Sequence, residues 1–382
     1  MRSNLYVWVL IIGAMLISTS RGTSQTTSIK GVFFSDYYYN VQNHSAAAQD
    51  RNAFEFRRIY FTLENSITET IKIRFRLEAN HDKYGTTSKI TPFVKHAYLE
   101  WNDFIPSHKL YLGIAETNAF KNAETYWGYR SIEKTAMDLN KISSSADMGI
   151  ALKGDLGVLA HHWLTLFNGT GYGSPEGDRY KKVGYAFWLT PVKGLILEGY
   201  ADYENQDPDE AQTENVLSSA KDLTGSTSYY TMKTFVGYEN IHFTVGAEAF
   251  WKTNKNSAVK GANIAEDNVS SATKADVTKF GYSLFGSWIT PIPKLKLFGR
   301  YDYFDPNNSD DVYTSFSNGS PVGGVDDEYS LIIAGLDYIP KGNIHFMPNV
   351  LVKSYAKSGV DSDITARVTL YLKFDSGKII IE

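Results

Sequence analysis

The 382-residue chain has no cysteine, which removes a disulfide framework, a thiolate metal site and a cysteine nucleophile together. It has little imbalance of charge: 38 basic against 42 acidic side chains leave a net charge of −4, which argues against a nucleic-acid partner. After residue 25 no apolar run approaches the ~20 residues of a membrane-spanning helix. Aromatic residues, by contrast, are plentiful. At 14% they argue against disorder, and the 26 tyrosines outnumber the 21 phenylalanines. An excess of amphipathic rings suits a protein with a long boundary between polar and apolar surroundings. Length admits either two or three soluble domains or one closed barrel.

Residues 1–24 read as a cleaved secretory signal. Arg2 supplies the positive start, Leu5 to Ile17 form a thirteen-residue apolar core, and small residues from Ser18 to Ser24 suit cleavage before Gln25. Thirteen helical residues span only ~20 Å, short of a ~30 Å hydrocarbon core. The mature chain, 25–382, is therefore exported and is either soluble or membrane-embedded without helices. A closed β-barrel is the remaining spanning solution, because every backbone N–H and C=O needs a partner inside lipid.

Period-2 alternation supports the barrel. Ile71, Ile73, Phe75, Leu77 and Ala79 alternate with Lys72, Arg74, Arg76 and Glu78; Leu295, Leu297, Gly299, Tyr301 and Tyr303 alternate with Lys296, Phe298, Arg300, Asp302 and Phe304. Ala366, Val368, Leu370, Leu372 and Phe374 likewise alternate with Arg367, Thr369, Tyr371 and Lys373. Sixteen strand-like segments follow one another between 29–40 and 364–374. Connections after even segments are tight, as at 191–194 and 291–293, and those after odd segments are usually long, as at 116–146 and 206–226. That sorting predicts an all-β fold: a single transmembrane antiparallel barrel of about sixteen strands, with short periplasmic turns and long extracellular loops. One hairpin is used twice at an offset of one hundred residues, since Trp188, Thr190, Pro191, Leu195, Leu197, Asp202 and Tyr203 match Trp288, Thr290, Pro291, Leu295, Leu297, Asp302 and Tyr303. Both tryptophans are expected at the depth of the inner aromatic girdle.

No motif predicts an enzyme, a cofactor or a metal centre. His161 and His162 point to opposite faces of one strand, so their spacing gives neither a two-His site nor a triad. Asp305, Asn307, Ser309 and Asp311 imitate the start of a calcium loop, but Asp310 stands where glycine and Phe316 where glutamate would be needed. His81 with Asp82 stands alone at a strand end.

The polar faces of the strands supply the candidate pore lining: Arg57, Arg58, Lys72, Arg74, Arg76, Glu78, Glu100, Arg300 and Arg367. The run from Phe54 and Phe56 to Ile59 and Phe61 changes phase, which predicts a bulge between Arg57 and Arg58. Clustered cations inside a low-dielectric wall would concentrate anions; ordinary salt bridging with Glu55, Glu78 and Glu100 is the other reading. The third long loop, 116–146, is expected to fold into the lumen as a constriction. Its stretch 122–139 predicts a short helix and carries Tyr126, Trp127, Arg130, Glu133 and Lys134, of which Arg130 and Lys134 would face solute or clasp the wall.

The runs FEFRR at 54–58, KIRFRLE at 72–78, YWGYRSIEKT at 126–135, RYDYFDP at 300–306, GLDYIP at 335–340 and HFMPN at 345–349 resemble outer-membrane porins of the phosphate-selective porin superfamily. The resemblance covers most of the mature chain. It implies a sixteen-stranded, trimeric barrel in a Gram-negative outer membrane, surrounded by lipid and lipopolysaccharide. Such a barrel passes small hydrophilic solutes, with a preference for anions. In that family phosphate selectivity rests on an arginine ladder and a lysine cluster; here Arg57, Arg58, Arg74, Arg76, Arg130 and Lys134 are the candidates, with Glu78 and Glu100 among them. A substrate-specific transporter or a surface adhesin on the same barrel is the alternative. The tail 375–382 follows Phe374, the expected terminal aromatic, and either hangs free or extends the last strand.

Overall fold

The computed structural model describes residues 25–80, 90–205, 228–260, 273–308, 312–313, 315–317, 320–322, 327–377 and 379–381. The signal segment 1–24, the His81–Asp82 pair and residues 309–311 of the calcium-like stretch lie outside the described residues. Sixteen antiparallel strands form the wall. The first eight are β1 (Gln25–Gln42), β2 (Asn52–Ser66), β3 (Ile71–Asn80), β4 (Phe93–Ile105), β5 (His108–Glu116), β6 (Ala146–Asp155), β7 (Ala160–Phe167) and β8 (Lys182–Leu189). The others are β9 (Leu195–Asn205), β10 (Ser228–Glu239), β11 (Phe243–Lys260), β12 (Thr273–Ile289), β13 (Leu295–Asp305), β14 (Tyr329–Lys341), β15 (Ile344–Tyr355) and β16 (Asp363–Asp375). Each pairs with its sequence neighbours, and β1 closes the ring on β16 with Lys30 opposite Asp375 and Tyr39 opposite Ala366. Closure satisfies every ladder and leaves no open edge around the wall. Among the described residues no helix is long and apolar enough to cross a membrane, so strands make the crossing.

Side-chain parity follows the sequence pattern. Across β9–β12, Leu197, Val236, Val245 and Leu284 are exposed on the outer face, while Glu198, Lys233, Glu248 and Ser283 are buried on the inner. Two bulges add inward residues. Arg57 is skipped in the β1–β2 register, so Arg57 and Arg58 both point inward, as the phase change predicted. Lys95 is skipped between β3 and β4, and Lys95 and His96 are both buried.

The repeated hairpin is not repeated in register. Trp188 pairs with Glu198, but Trp288 pairs with Leu297. Because the strand period is two, that single-residue difference turns Trp188 inward, 8% accessible, and leaves Trp288 on the lipid face at 46%. The girdle expectation is thus right for Trp288 and wrong for Trp188, which stacks on His161 with ring centroids 5.5 Å apart. The Thr190 N–H reaches across to the Leu159 carbonyl, whereas the Thr290 N–H closes its own turn on Leu295. The tail extends the wall: Ile379–Ile381 pairs antiparallel with Gln25, Thr26 and Thr27 of β1.

Candidate functional site

The long connection from β5 to β6 fills part of the lumen. It contains α1 (Lys121–Trp127) and α2 (Ala136–Leu139) rather than the single helix expected within 122–139. Gly128, at φ 69°, ends α1 in the left-handed region and returns its N–H to the Glu124 carbonyl, a stop that a side chain would resist. The loop's apolar residues Ala119, Phe120, Ala123, Trp127, Ile132, Met137 and Ile142 are buried in one cluster with Phe235, Phe285, Phe298, Ile333 and Met347 of the β10–β15 wall. Trp127 lies 5.6 Å from the Phe285 ring, and Tyr129 stacks on Phe298 at 4.4 Å. Full burial of a large apolar side chain is worth ~1.5–3 kcal/mol, so several such contacts hold the loop against that side of the barrel.

Irregular backbone at membrane depth must find partners for its carbonyls. The wall provides them as charged donors. Arg57 donates to the Ser131 and Ile132 carbonyls at 2.9 and 2.8 Å, and Arg367 to Ile132 at 2.9 Å. Arg300 donates to Lys134 at 2.5 Å, and Lys252 to Ile142 at 3.0 Å. Tyr126 donates to the Gly194 carbonyl at 3.0 Å, and Asn122 bonds Glu198. Arg300, expected on the solute path, therefore lies behind the loop, its side chain 1% accessible and paired with Asp302. Trp127, expected in the constriction, is likewise an anchor.

Inside the loop, Arg130 lies 2.7 Å from Glu124 and 2.5 Å from Asp138. Burial works to raise the Asp138 carboxyl, but Arg130 and Lys134 outweigh it and hold it below the ordinary carboxylate range. Burial opposes Glu133 in the same way, and Arg57 and Arg367 outweigh it. A depressed folded value contributes stability that is complete above the unfolded carboxylate range and lost as pH falls through the folded value. Single-channel conductance should therefore stay level from about pH 7 to about pH 4 and rise only in stronger acid, as the loop loosens. A rise already complete between these limits would contradict the pairing.

With the loop held to β10–β15, open space remains along β1–β5. Three successive cavities lie there. Toward the extracellular end, one of about 330 Å³ is lined by Arg57, Arg58, Arg130, Lys134 and Arg367 against Glu55 and Glu133. In the middle, one of about 90 Å³ is lined by Arg76, Lys95, His96, Lys121 and Arg130 against Glu116 and Glu124. Toward the periplasmic turns, one of about 400 Å³ carries Lys30, Lys72 and Arg74 against Glu64, Glu100 and Asp375.

Most of these cations have a carboxylate partner. Arg57 and Arg367 share Asp36 at 3.3 and 3.6 Å, Arg58 and Lys95 share buried Glu78 at 3.1 and 3.4 Å, and Arg74 meets Glu64 at 3.4 Å. Lys121 pairs with Glu116 and Glu124, and Glu100 is taken by Lys109. Among the described residues, Lys134, Arg76 and Lys72 form no ion pair within 4.0 Å, and Arg76 instead bonds the Thr62 hydroxyl at 2.8 Å beneath the Tyr60 ring. Sequence reasoning missed Asp36, Lys95 and His96. The step from Val94 to Ala97 was the available signal for the last two, since it shifts phase as the Arg57 bulge does.

Among the described residues no group of three or more His, Asp or Glu is placed to hold a metal ion. A comparison with curated proteins finds none that matches. Solved porins share the fold at low identity. OmpF of Salmonella typhi, in complex with daunomycin, is 12% identical with a TM-score of 0.62, covering 91% of this chain and 97% of its own. An anion-selective porin from Comamonas acidovorans is 11% identical with a TM-score of 0.59, covering 92% and 100%. The outer-membrane channel DcaP of Acinetobacter baumannii is 11% identical with a TM-score of 0.58, covering 94% and 99%. The model of one family, phosphate-selective porin O and P, matches residues 29–375. Matched over nearly the whole barrel, the chain belongs to that family and is an outer-membrane channel of Gram-negative bacteria.

Proposed function

We propose that small hydrophilic anions cross passively between the loop and the β1–β5 wall, stepping past Lys134, Arg76 and Lys72. The observation that carries this reading is their distribution: each of the three cavities holds one of these cations, and none of the three has a carboxylate within ion-pair distance among the described residues. An unpaired charge in a confined, low-dielectric passage acts on a passing ion, whereas a paired one is nearly neutral a few ångströms away. The paired residues Arg57, Arg58, Arg74 and Arg367 shape the wall and hold the loop. The chain performs no bond chemistry in this reading.

Reconstituted protein in a KCl gradient is expected to give a reversal potential of the anion-selective sign. A cation-selective sign would overturn the proposal. We also propose a homotrimer in outer-membrane lipid and lipopolysaccharide, supported by the likeness to OmpT of Vibrio cholerae, solved in its trimer form. A second reading, a surface adhesin, rests on the β11–β12 hairpin, whose ladder runs up to Lys260 and Thr273 and is joined there by Val312 and Tyr313. Liposome swelling with sugars of graded size separates the two, since a diffusion channel has a size cutoff.

A further inference from the structure

We propose that His108 and His162 form a two-imidazole site for a borderline divalent transition metal such as Cu²⁺ or Zn²⁺, on the outer face of the barrel at its periplasmic end. His108 on β5, Gly154 on β6 and His162 on β7 are aligned across three strands. Alternate strands stand ~9.6 Å apart, twice the ~4.8 Å spacing, so two side chains meet over the middle strand only if it presents nothing there. Gly154 meets that condition: a Cβ on it would lie 2.2 Å from the His108 ring. The two Nε2 atoms come within 2.9 Å of each other, with the rings at 62°.

The tautomer also suits a ligand. His108 Nδ1 lies 2.8 Å from the Pro106 carbonyl, which only accepts, so Nδ1 carries the proton and Nε2 presents its lone pair. A backbone carbonyl holding the far nitrogen is the usual support of a metal-bound histidine. Two nitrogens at ~2.05 Å from a tetrahedral ion stand ~3.3 Å apart, so the pair needs to open by only a few tenths of an ångström. His162 would then carry its proton on Nδ1. Imidazole pairs suit copper and zinc, and water at the Pro106–Ser107 turn completes the shell. The ion would tie β5 to β7 across β6.

The test uses the full mature chain without an affinity tag, folded in detergent, with Cu²⁺ followed by electron paramagnetic resonance and Zn²⁺ by its effect on thermal unfolding. One Cu²⁺ per chain with two-nitrogen coupling is expected, together with a rise in unfolding temperature on adding Zn²⁺. His108→Ala and His162→Ala should each weaken binding at least tenfold and abolish the rise, while His161→Ala, facing the lumen, should leave both in place. If an alanine variant does not fold, His108→Gln keeps a hydrogen-bonding group without the second imidazole and should show the same loss. Binding that survives the removal of His108 or His162, or no binding by the folded wild type, overturns the site.

Discussion

Replacing Arg76 by alanine should lower the anion-to-cation permeability ratio by about threefold or more, whereas replacing Arg74 together with its partner Glu64 should change it little. The two residues sit on the same face of β3, two positions apart, and a sequence-level reading cannot rank them. Their partners do. Arg74 is 3.4 Å from Glu64, so removing both partners takes away no net charge and leaves the field a few ångströms off nearly unchanged. Arg76 has no carboxylate within 4.0 Å among the described residues, bonds the Thr62 hydroxyl beneath the Tyr60 ring, and faces Glu116 across the smallest of the three cavities, about 90 Å³. At ~6 Å and an effective dielectric constant of ~20–80, one charge biases an ion by ~0.7–2.8 kcal/mol, which is the origin of the threefold lower bound. Reversal potentials of the two variants in the same KCl gradient decide the matter. Equal shifts, or none at Arg76, would mean that the basic wall is ordinary salt bridging and not a track.

Deleting 122–139 should raise single-channel conductance at least ~twofold, because a sixteen-stranded barrel without an inward loop leaves a wide aqueous channel. The barrel should still fold, since its ladder closes from β1 to β16 without a contribution from the loop. Arg57, Arg300 and Arg367 would lose the loop carbonyls they serve but gain water. Anion preference should fall at the same time. Ions would pass farther from Arg76, and screening reduces interactions beyond ~8–10 Å at physiological salt. An unchanged conductance in a folded, reconstituted barrel would place the functional loop outside the conducting path.

Much of the candidate site was legible in the sequence, because strand parity is local. Lys72, Arg74, Arg76, Glu78 and Arg367 could be assigned to the inner face by alternation alone, and the Arg57 bulge by a change of phase. What alternation cannot supply is pairing between distant strands. Asp36 on β1 pairs with both Arg57 and Arg367, and Glu78 sits between Arg58 and Lys95, so the cations without a partner emerge only by subtraction across five strands. Likewise, His162 could not be matched to a histidine 54 positions earlier, because the match depends on the registers of β5 with β6 and β6 with β7. The two copies of the repeated hairpin show the same limit within a few residues. Their compositions agree, but a one-residue difference in pairing places Trp188 in the lumen and Trp288 in lipid.

By itself the sequence determined the strand count and the inward and outward faces. These follow from period-2 alternation and from connection lengths sorted to one end, both properties of neighbouring residues. Tertiary structure decided which side of the lumen stays open and which charges there are left without a partner among the described residues. The loop's apolar residues found their complement on β10–β15, its bare carbonyls drew Arg57, Arg300 and Arg367 away from water, and the carboxylates of distant strands paired with most of the remaining cations. The surplus of tyrosine belongs to both levels: composition announced a boundary, and closure of the barrel made two of them, one against lipid and one against channel water.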